Sequence, residues 1–526
     1  MTTRLTLVSI ASEADIIAQG QAALRELTGR DLLLSQGQQA PLINTCHMLA
    51  EASAAAVMVQ TRVLDQDFLA EFSAYYSRQF SSVPRYCTRL HFFAHPVNEE
   101  GEALRYLDNV PKESYLGFIT LRPVIKSPLG ASIIASSAVD AFVGCVDRFP
   151  VNIGGVEFAV VGTPFMQQDN AVGACAQASI WMALRTLRKR EGDRAYDPAQ
   201  ITDAATKYFV SGRVRPNRQG LTQQQIIEAI RAAGYSPHTI PLGKWYGKRT
   251  QMSEFEIMDS MRTLHAYVES DIPVILILFP ESGGHAVVAI GHTWSNNEAA
   301  YNPVCVKLRD ETVLEFRHAT SWVPSFVIHN DNAGPYRHLQ TTCAGDYALE
   351  HAAFAIPLLP VDVFMSGEEA MTVATEVLAS VFQGFKDAGA KTGTELQDLA
   401  KSLVLRLLLV EKRKLRRWAA SQKMVPELSQ ALRMMDMPKR VWALEIHQAK
   451  EYGKHDHGDM QATLVGLILV DPTADIIPMS TLLMHLNLPA LFGLRCGVLM
   501  TWDIETGNAK QGIQTEDSGP ILPISA

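Results

Sequence analysis

Gln167-Gln168-Asp169-Asn170-Ala171-Val172-Gly173-Ala174-Cys175-Ala176-Gln177-Ala178-Ser179-Ile180-Trp181-Met182 decides how the rest of this 526-residue chain is read. A strand-like run, Val156 to Val161, leads into it. A polar loop containing Gly173 follows, then Cys175, then a continuous run of good helix formers. A cysteine so placed stands at a helix N-terminus. The macrodipole and the unpaired N–H groups there favour the thiolate, which is the nucleophilic form. The Cys175 N–H and the side chain of an upstream glutamine, Gln168 or Gln167, are donors suited to a developing oxyanion.

A nucleophilic cysteine needs a base. The chain offers one 110 residues farther on (285 − 175), in Ile272-Pro-Val-Ile-Leu-Ile-Leu-Phe-Pro-Glu-Ser-Gly-Gly-His285-Ala-Val-Val-Ala-Ile-Gly291. Two apolar strands flank a Gly-Gly-His turn, and His285 opens the second. The glycines let another segment approach the ring closely. A third strand-like run, Ser325-Phe-Val-Ile-His-Asn-Asp331, ends in polar residues able to orient the imidazole. A lone cysteine before an apolar helix is usually a small buried hydrophobe, and a lone histidine after glycines a turn residue. Here the two occur in the right order and on the right elements.

Gln-x-Asp, then Gly-x-Cys-Ala-x-Ala-Ser, then Gly-Gly-His-Ala-Val-Val and an Asn/Asp strand end resemble the papain-like cysteine peptidases, in particular the bacteriocin-processing (double-glycine) peptidase-like group. The resemblance covers roughly residues 155–340. It implies Cys175 as nucleophile, His285 as base, Asp331 as orienter and Gln168 in the oxyanion hole. Asn330 is a rival orienter and Gln167 a rival oxyanion donor. Gln168 stands one residue farther from the cysteine than is usual for those peptidases, and position 169 is Asp. The spacing from His285 to Asp331 is also long. The helix opening at Thr222-Gln-Gln-Gln225, between Cys and His, is a weak further likeness.

Length predicts two to four domains. With 47% hydrophobic and 19% charged residues the chain is ordinary globular protein. A net charge of −8 argues against nucleic acid as a main partner. Seven scattered cysteines without a C-x-x-C pair fit free thiols in a reducing compartment, so a cytoplasmic location is expected. The N-terminal apolar run, Leu5 to Ala11, is too short and too soon acidic for a signal peptide, and no stretch has the length of a membrane span.

The expected fold class is α+β: a papain-like two-lobed core, with a helical lobe holding the Cys helix and an antiparallel sheet lobe holding His285. Three regions are expected: an N-terminal α/β region (1–150), the peptidase-like unit (151–340) and a C-terminal α/β region (341–526). Helices are expected at Glu13 to Leu27, Met48 to Val59, Asp65 to Phe80, Cys175 to Leu187, from Ser253, from Ser366 to Ala388, and from Leu396 to Gln422. Strands are expected at Tyr86 to Ala94, Ser114 to Val124, Val274–Phe279, Ala286–Gly291, Val304–Leu308, Val313–Phe316 and Phe326–Ile328. After Pro438 strands are expected at Val441 to Ile446, Leu464 to Val470 and Cys496 to Trp502, with a mobile tail from Glu505. The Lys412-Arg-Lys-Leu-Arg-Arg417 cluster reads as a solvated helix face rather than an anionic docking patch. His455-Asp456-His457-Gly458-Asp459, with His447 upstream, reads as an exposed hairpin loop. It lacks the i, i+4 spacing of a zinc helix.

These features imply hydrolysis of a peptide or isopeptide bond through a thioester, with a protein or peptide substrate and neither metal nor organic cofactor. A catalytically inactive binding or scaffold module on the same fold, and a Cys–His acyltransferase, are the alternatives. Substrate and oligomeric state are not legible.

Overall fold

The computed structural model describes residues 3–516 except 30–35, 98–101, 125, 170–173, 191, 193–195, 211–213, 215–219, 246–249, 344–346, 390–391, 422–423, 425, 455–462, 475–479, 488–495 and 502–512. The fold is mixed α+β and is organised by three large sheets.

The central sheet carries His285. Its order is Ile240–Pro241, Ala352–Pro360, Val274–Leu278, His285–His292, Phe326–Asn330 and Gly334–Leu339, antiparallel throughout. The strands Val274–Leu278 and His285–His292 read as continuous apolar runs because both faces are covered. On one face lies the helix Cys175–Arg190, which fills the core with Ile180, Trp181, Met182 and Leu184. On the other lies the helix Glu254–Val268. The turn before His285 requires glycine at Gly283, whose φ is +118°.

The N-terminal region is not a detached unit. Its antiparallel sheet runs Leu5–Ser9, Ala56–Val63, Cys87–Phe93, Tyr115–Leu121 and Ile133–Ile134. Its residues share one apolar core with the Cys175 helix and the central sheet. The bond from Tyr336 Oη to the Ile134 carbonyl (2.9 Å) crosses that junction. Another runs from Asn44 Nδ2 to the Ala333 carbonyl (2.6 Å).

A third sheet runs Pro303–Lys307, Val313–His318, Leu403–Glu411, Arg440–Gln448, Leu464–Val470, Thr481–Leu486, Cys496–Thr501 and Ile513–Glu516. The hairpin Pro303–Lys307/Val313–His318 therefore pairs with C-terminal strands, through a parallel contact of Arg317 with Val404. In exchange, Ala352–Pro360 returns to the central sheet. The long helix Gly367–Asp387 packs in the apolar core between these sheets.

Three segments differ from expectation. The helix expected from Leu396 to Gln422 is helix only at Gly393–Lys401 and Lys412–Ser421; Leu403–Glu411 between them is a strand. That run is apolar on nearly every residue and buried on both faces, so it has neither helical nor alternating periodicity. Ala56 to Val59, expected as the end of the helix from Met48, belongs to the strand Ala56–Val63, an inner strand of the N-terminal sheet, as its valines favour. Ile513–Glu516, in the stretch expected to be mobile, pairs with Cys496–Thr501. The His455 to Asp459 segment lies outside the described residues. His447 is buried on Arg440–Gln448, with Nδ1 2.8 Å from Thr463 Oγ1.

Candidate active site

The helix Cys175–Arg190 begins at the cysteine. Asn170, Ala171, Val172 and Gly173 lie outside the described residues. Ala174 donates its N–H to the side-chain oxygen of Gln177 (2.9 Å), which ties down the helix entry. Ser179 Oγ donates to the Ala286 carbonyl (3.0 Å), fastening the first turn of the helix to the strand that His285 opens. The Cys175 thiol, half-buried, lies against the Ala286 N–H.

His285 is 7% exposed. Its Nε2 lies 2.9 Å from Asn330 Oδ1 and 3.5 Å from Asp331 Oδ1. Its Nδ1 lies 3.5 Å from Asn332 Nδ2. An amide oxygen beside Nε2 and an amide N–H beside Nδ1 select the tautomer protonated on Nε2. The ring packs on Tyr347, with centroids 5.0 Å apart. Asn330 ends the strand Phe326–Asn330, and Asp331 follows at once. Asn330 Oδ1 also accepts from the Asn332 N–H (3.0 Å), which fixes the amide in place.

The two candidate glutamines diverge. Gln168, half-buried, donates from Nε2 to Asn332 Oδ1 (3.1 Å), so it is joined to the histidine through one side chain. The side-chain oxygen of Gln167 accepts from the Leu129 N–H (3.3 Å), and its carbonyl accepts from Arg122 (2.9 Å). The structure thus gathers Cys175, His285, Asn330, Asp331 and Gln168, while Gln167 anchors the loop to the N-terminal region.

The electrostatics set the resting state. Burial and the Asp331 carboxylate push the Cys175 thiol up to about 12, against the N–H groups of Ala286, Ala176 and Cys175 itself. Burial likewise raises Asp331, to about 6, with His285 and the N–H groups of Asp331 and Gln168 opposing. Neither Asp331 oxygen has a partner in hydrogen-bond geometry. The helix terminus alone does not outweigh desolvation, so the isolated thiol is un-ionised at rest.

Sequence reasoning missed three contributors. Asn332 and Tyr347 surround the histidine. Asn332 Nδ2 also reaches Tyr347 Oη (3.3 Å). The third is a buried polar network from the N-terminal region. Arg122 pairs with Glu71 (2.9 and 3.1 Å) and reaches the Gln167 carbonyl. Tyr76 Oη donates to Asp169 (2.6 Å). Asp67 accepts from Trp181 Nε1 (3.1 Å) and from Arg185 on the nucleophile helix. Partners separated by 45 to 118 positions leave no local pattern to read.

Residues 161–312 match the model of the Peptidase_C39 like family, in the papain-like cysteine peptidase clan. Over that segment the chain is cysteine-peptidase-like, and its resemblance to the bacteriocin-processing peptidase-like group is shown. The match includes Cys175 and His285 and stops before Asn330. No curated protein matches the chain. Among the described residues no helix is long and apolar enough to cross a membrane.

Proposed function

We propose that this chain is a cysteine-dependent peptidase that cleaves a peptide or isopeptide bond of a protein or peptide substrate through a thioester. One observation carries this reading: the Cys175 thiol at a helix N-terminus abuts the residue after His285, whose Nε2 sits 2.9 Å from Asn330 Oδ1. The Cys helix on one side and the His sheet on the other favour a papain-like two-lobed arrangement around residues 151–340, with Ala352–Pro360 completing its sheet.

In this mechanism His285 Nδ1 takes the thiol proton as Sγ attacks the carbonyl carbon. The Cys175 N–H and Gln168 Nε2 hold the oxyanion. The imidazolium then protonates the departing amine, and water, activated by the same ring, releases the acid. Asn330 holds the ring, and the buried Asp331 carboxylate stands 3.5 Å from Nε2.

A second reading, an inactive peptidase-like binding module, is favoured by the Cys175 thiol being held un-ionised. An acyltransferase would share the thioester and differ in its acceptor. The full-length chain incubated with a peptide library, read by mass spectrometry, separates the three. Hydrolysis lost in Cys175→Ala supports the peptidase. Transfer only to an added amine supports the acyltransferase. No Cys175-dependent product from a diverse library supports the binding module.

A further inference from the structure

Behind the candidate active site, where the central sheet meets the C-terminal sheet, lies a cluster of buried histidines and carboxylates that the mechanism above does not use. His265, on the helix Glu254–Val268, and Glu269, just after it, are spaced i, i+4. His292 ends the strand His285–His292. All three are at most 1% exposed. One ligand atom from each lies within 4.8 Å of the others.

His292 Nδ1 lies 3.0 Å from the Thr293 carbonyl oxygen, and Nε2 lies 2.7 Å from Glu269 Oε1. Both neighbours are acceptors, so a neutral imidazole satisfies only one of them. A proton on Nδ1 bonded to a carbonyl turns the Nε2 lone pair toward Glu269 and His265, as in a metal-ligating histidine. His265 is fully buried, and neither ring nitrogen has a hydrogen-bond partner. Its Nε2 stands 3.4 Å from Glu269 Oε1 without hydrogen-bond geometry, and its ring stacks on His292 at 5.2 Å. Glu269 Oε2 accepts from Arg406 Nη2 (2.5 Å), while Arg406 Nη1 donates to Glu445 (2.7 Å). That arrangement leaves Oε1 facing the two rings. His318, beside His265, is not a ligand: its Nδ1 accepts from the Thr320 N–H (3.1 Å), so Nε2 carries the proton.

We propose that His265, Glu269 and His292 bind one divalent transition-metal ion of the zinc type, clasping the helix Glu254–Val268 and the residue after it to the strand His285–His292. Two imidazoles and one carboxylate are a zinc donor set, and closing the atoms onto an ion at ~2 Å needs shifts of about 1 Å. The ion supplies the positive partner that His292 Nε2, His265 and Glu269 Oε1 share. Cys175 plays no part in this site, so it stands or falls apart from the peptidase reading.

Metal content of the untagged full-length chain, by inductively coupled plasma mass spectrometry after gel filtration, tests this. The expected result is about one zinc or related ion per chain. It should be retained in Cys175→Ala and lost in His292→Leu. Cobalt substitution should give d–d absorption without thiolate-to-cobalt charge transfer. His265→Leu discriminates by stability. If the ion is bound, the variant loses it and melts lower. If nothing is bound, removing two unpartnered buried nitrogens leaves the melting temperature equal or higher. A chain without metal, both as purified and after refolding with zinc, overturns the proposal. So does a cobalt spectrum with thiolate character. Should either variant fail to fold, the wild-type metal content and cobalt spectrum still decide.

Discussion

The Nε2 of His285 lies 2.9 Å from the amide oxygen of Asn330, closer than the 3.5 Å that separates it from the Asp331 carboxylate. Asn330 makes the directed bond; Asp331, with no partner in hydrogen-bond geometry, contributes its charge. The two side chains therefore have separable effects.

Asn330→Ala should lower kcat by about 100-fold while leaving KM within about twofold, because it frees the ring without altering substrate contacts. Steady-state kinetics on a peptide cleaved by the wild type checks this. An unchanged kcat would move the orienting role to Asp331.

Asp331→Asn should lower the Cys175 thiol pKa, because the carboxylate adds to burial in raising it. The substitution also changes stability with a defined sign. Asp331 titrates near 6 in the folded chain against 3.8 for an ordinary aspartate. Between those values the folded state binds more protons, so wild-type stability falls as pH rises through that window and is level above it. The ionised carboxylate costs about 3 kcal/mol at neutral pH. Urea denaturation should show Asp331→Asn stabilised at pH 7 and nearly unchanged at pH 4.

Arg122→Met should destabilise the chain by about 3–5 kcal/mol, because it leaves the fully buried Glu71 carboxylate without its cation. It also releases the Gln167 carbonyl and so loosens the loop before Cys175. The double variant Arg122→Met/Glu71→Leu should recover much of the stability but not the lost activity. Thermal melts and kinetics on the same samples check both.

The elements that carry the candidate nucleophile and base were legible because each announces itself locally. Cys175 follows a glycine loop and starts a helix, and His285 follows two glycines and starts a strand. Asn332 was not legible as a neighbour of His285, because a turn residue acquires that position only when Phe326–Asn330 pairs with His285–His292. Leu403–Glu411 was misread as helix because burial on both faces erases the alternation that marks a strand. The third sheet was hidden for a related reason: Val313–His318 pairs in parallel with Leu403–Glu411 across some 85 intervening residues, which no local pattern encodes. The i, i+4 spacing of His265 and Glu269 was visible, but their union with His292 depends on the strand end that reaches them.

The most direct measurement is the alkylation rate of Cys175 by iodoacetamide as a function of pH, read by peptide mass spectrometry in wild type and His285→Ala. The exposed thiols Cys305 and Cys343 serve as internal standards. If His285 accepts the Cys175 proton, the substitution slows alkylation of Cys175 at pH 7 by about tenfold or more. Cys305 and Cys343 should be unaffected. Equal Cys175 rates in the two proteins, rising with pH as for an isolated buried thiol, would contradict the Cys175–His285 pair on which the peptidase reading rests.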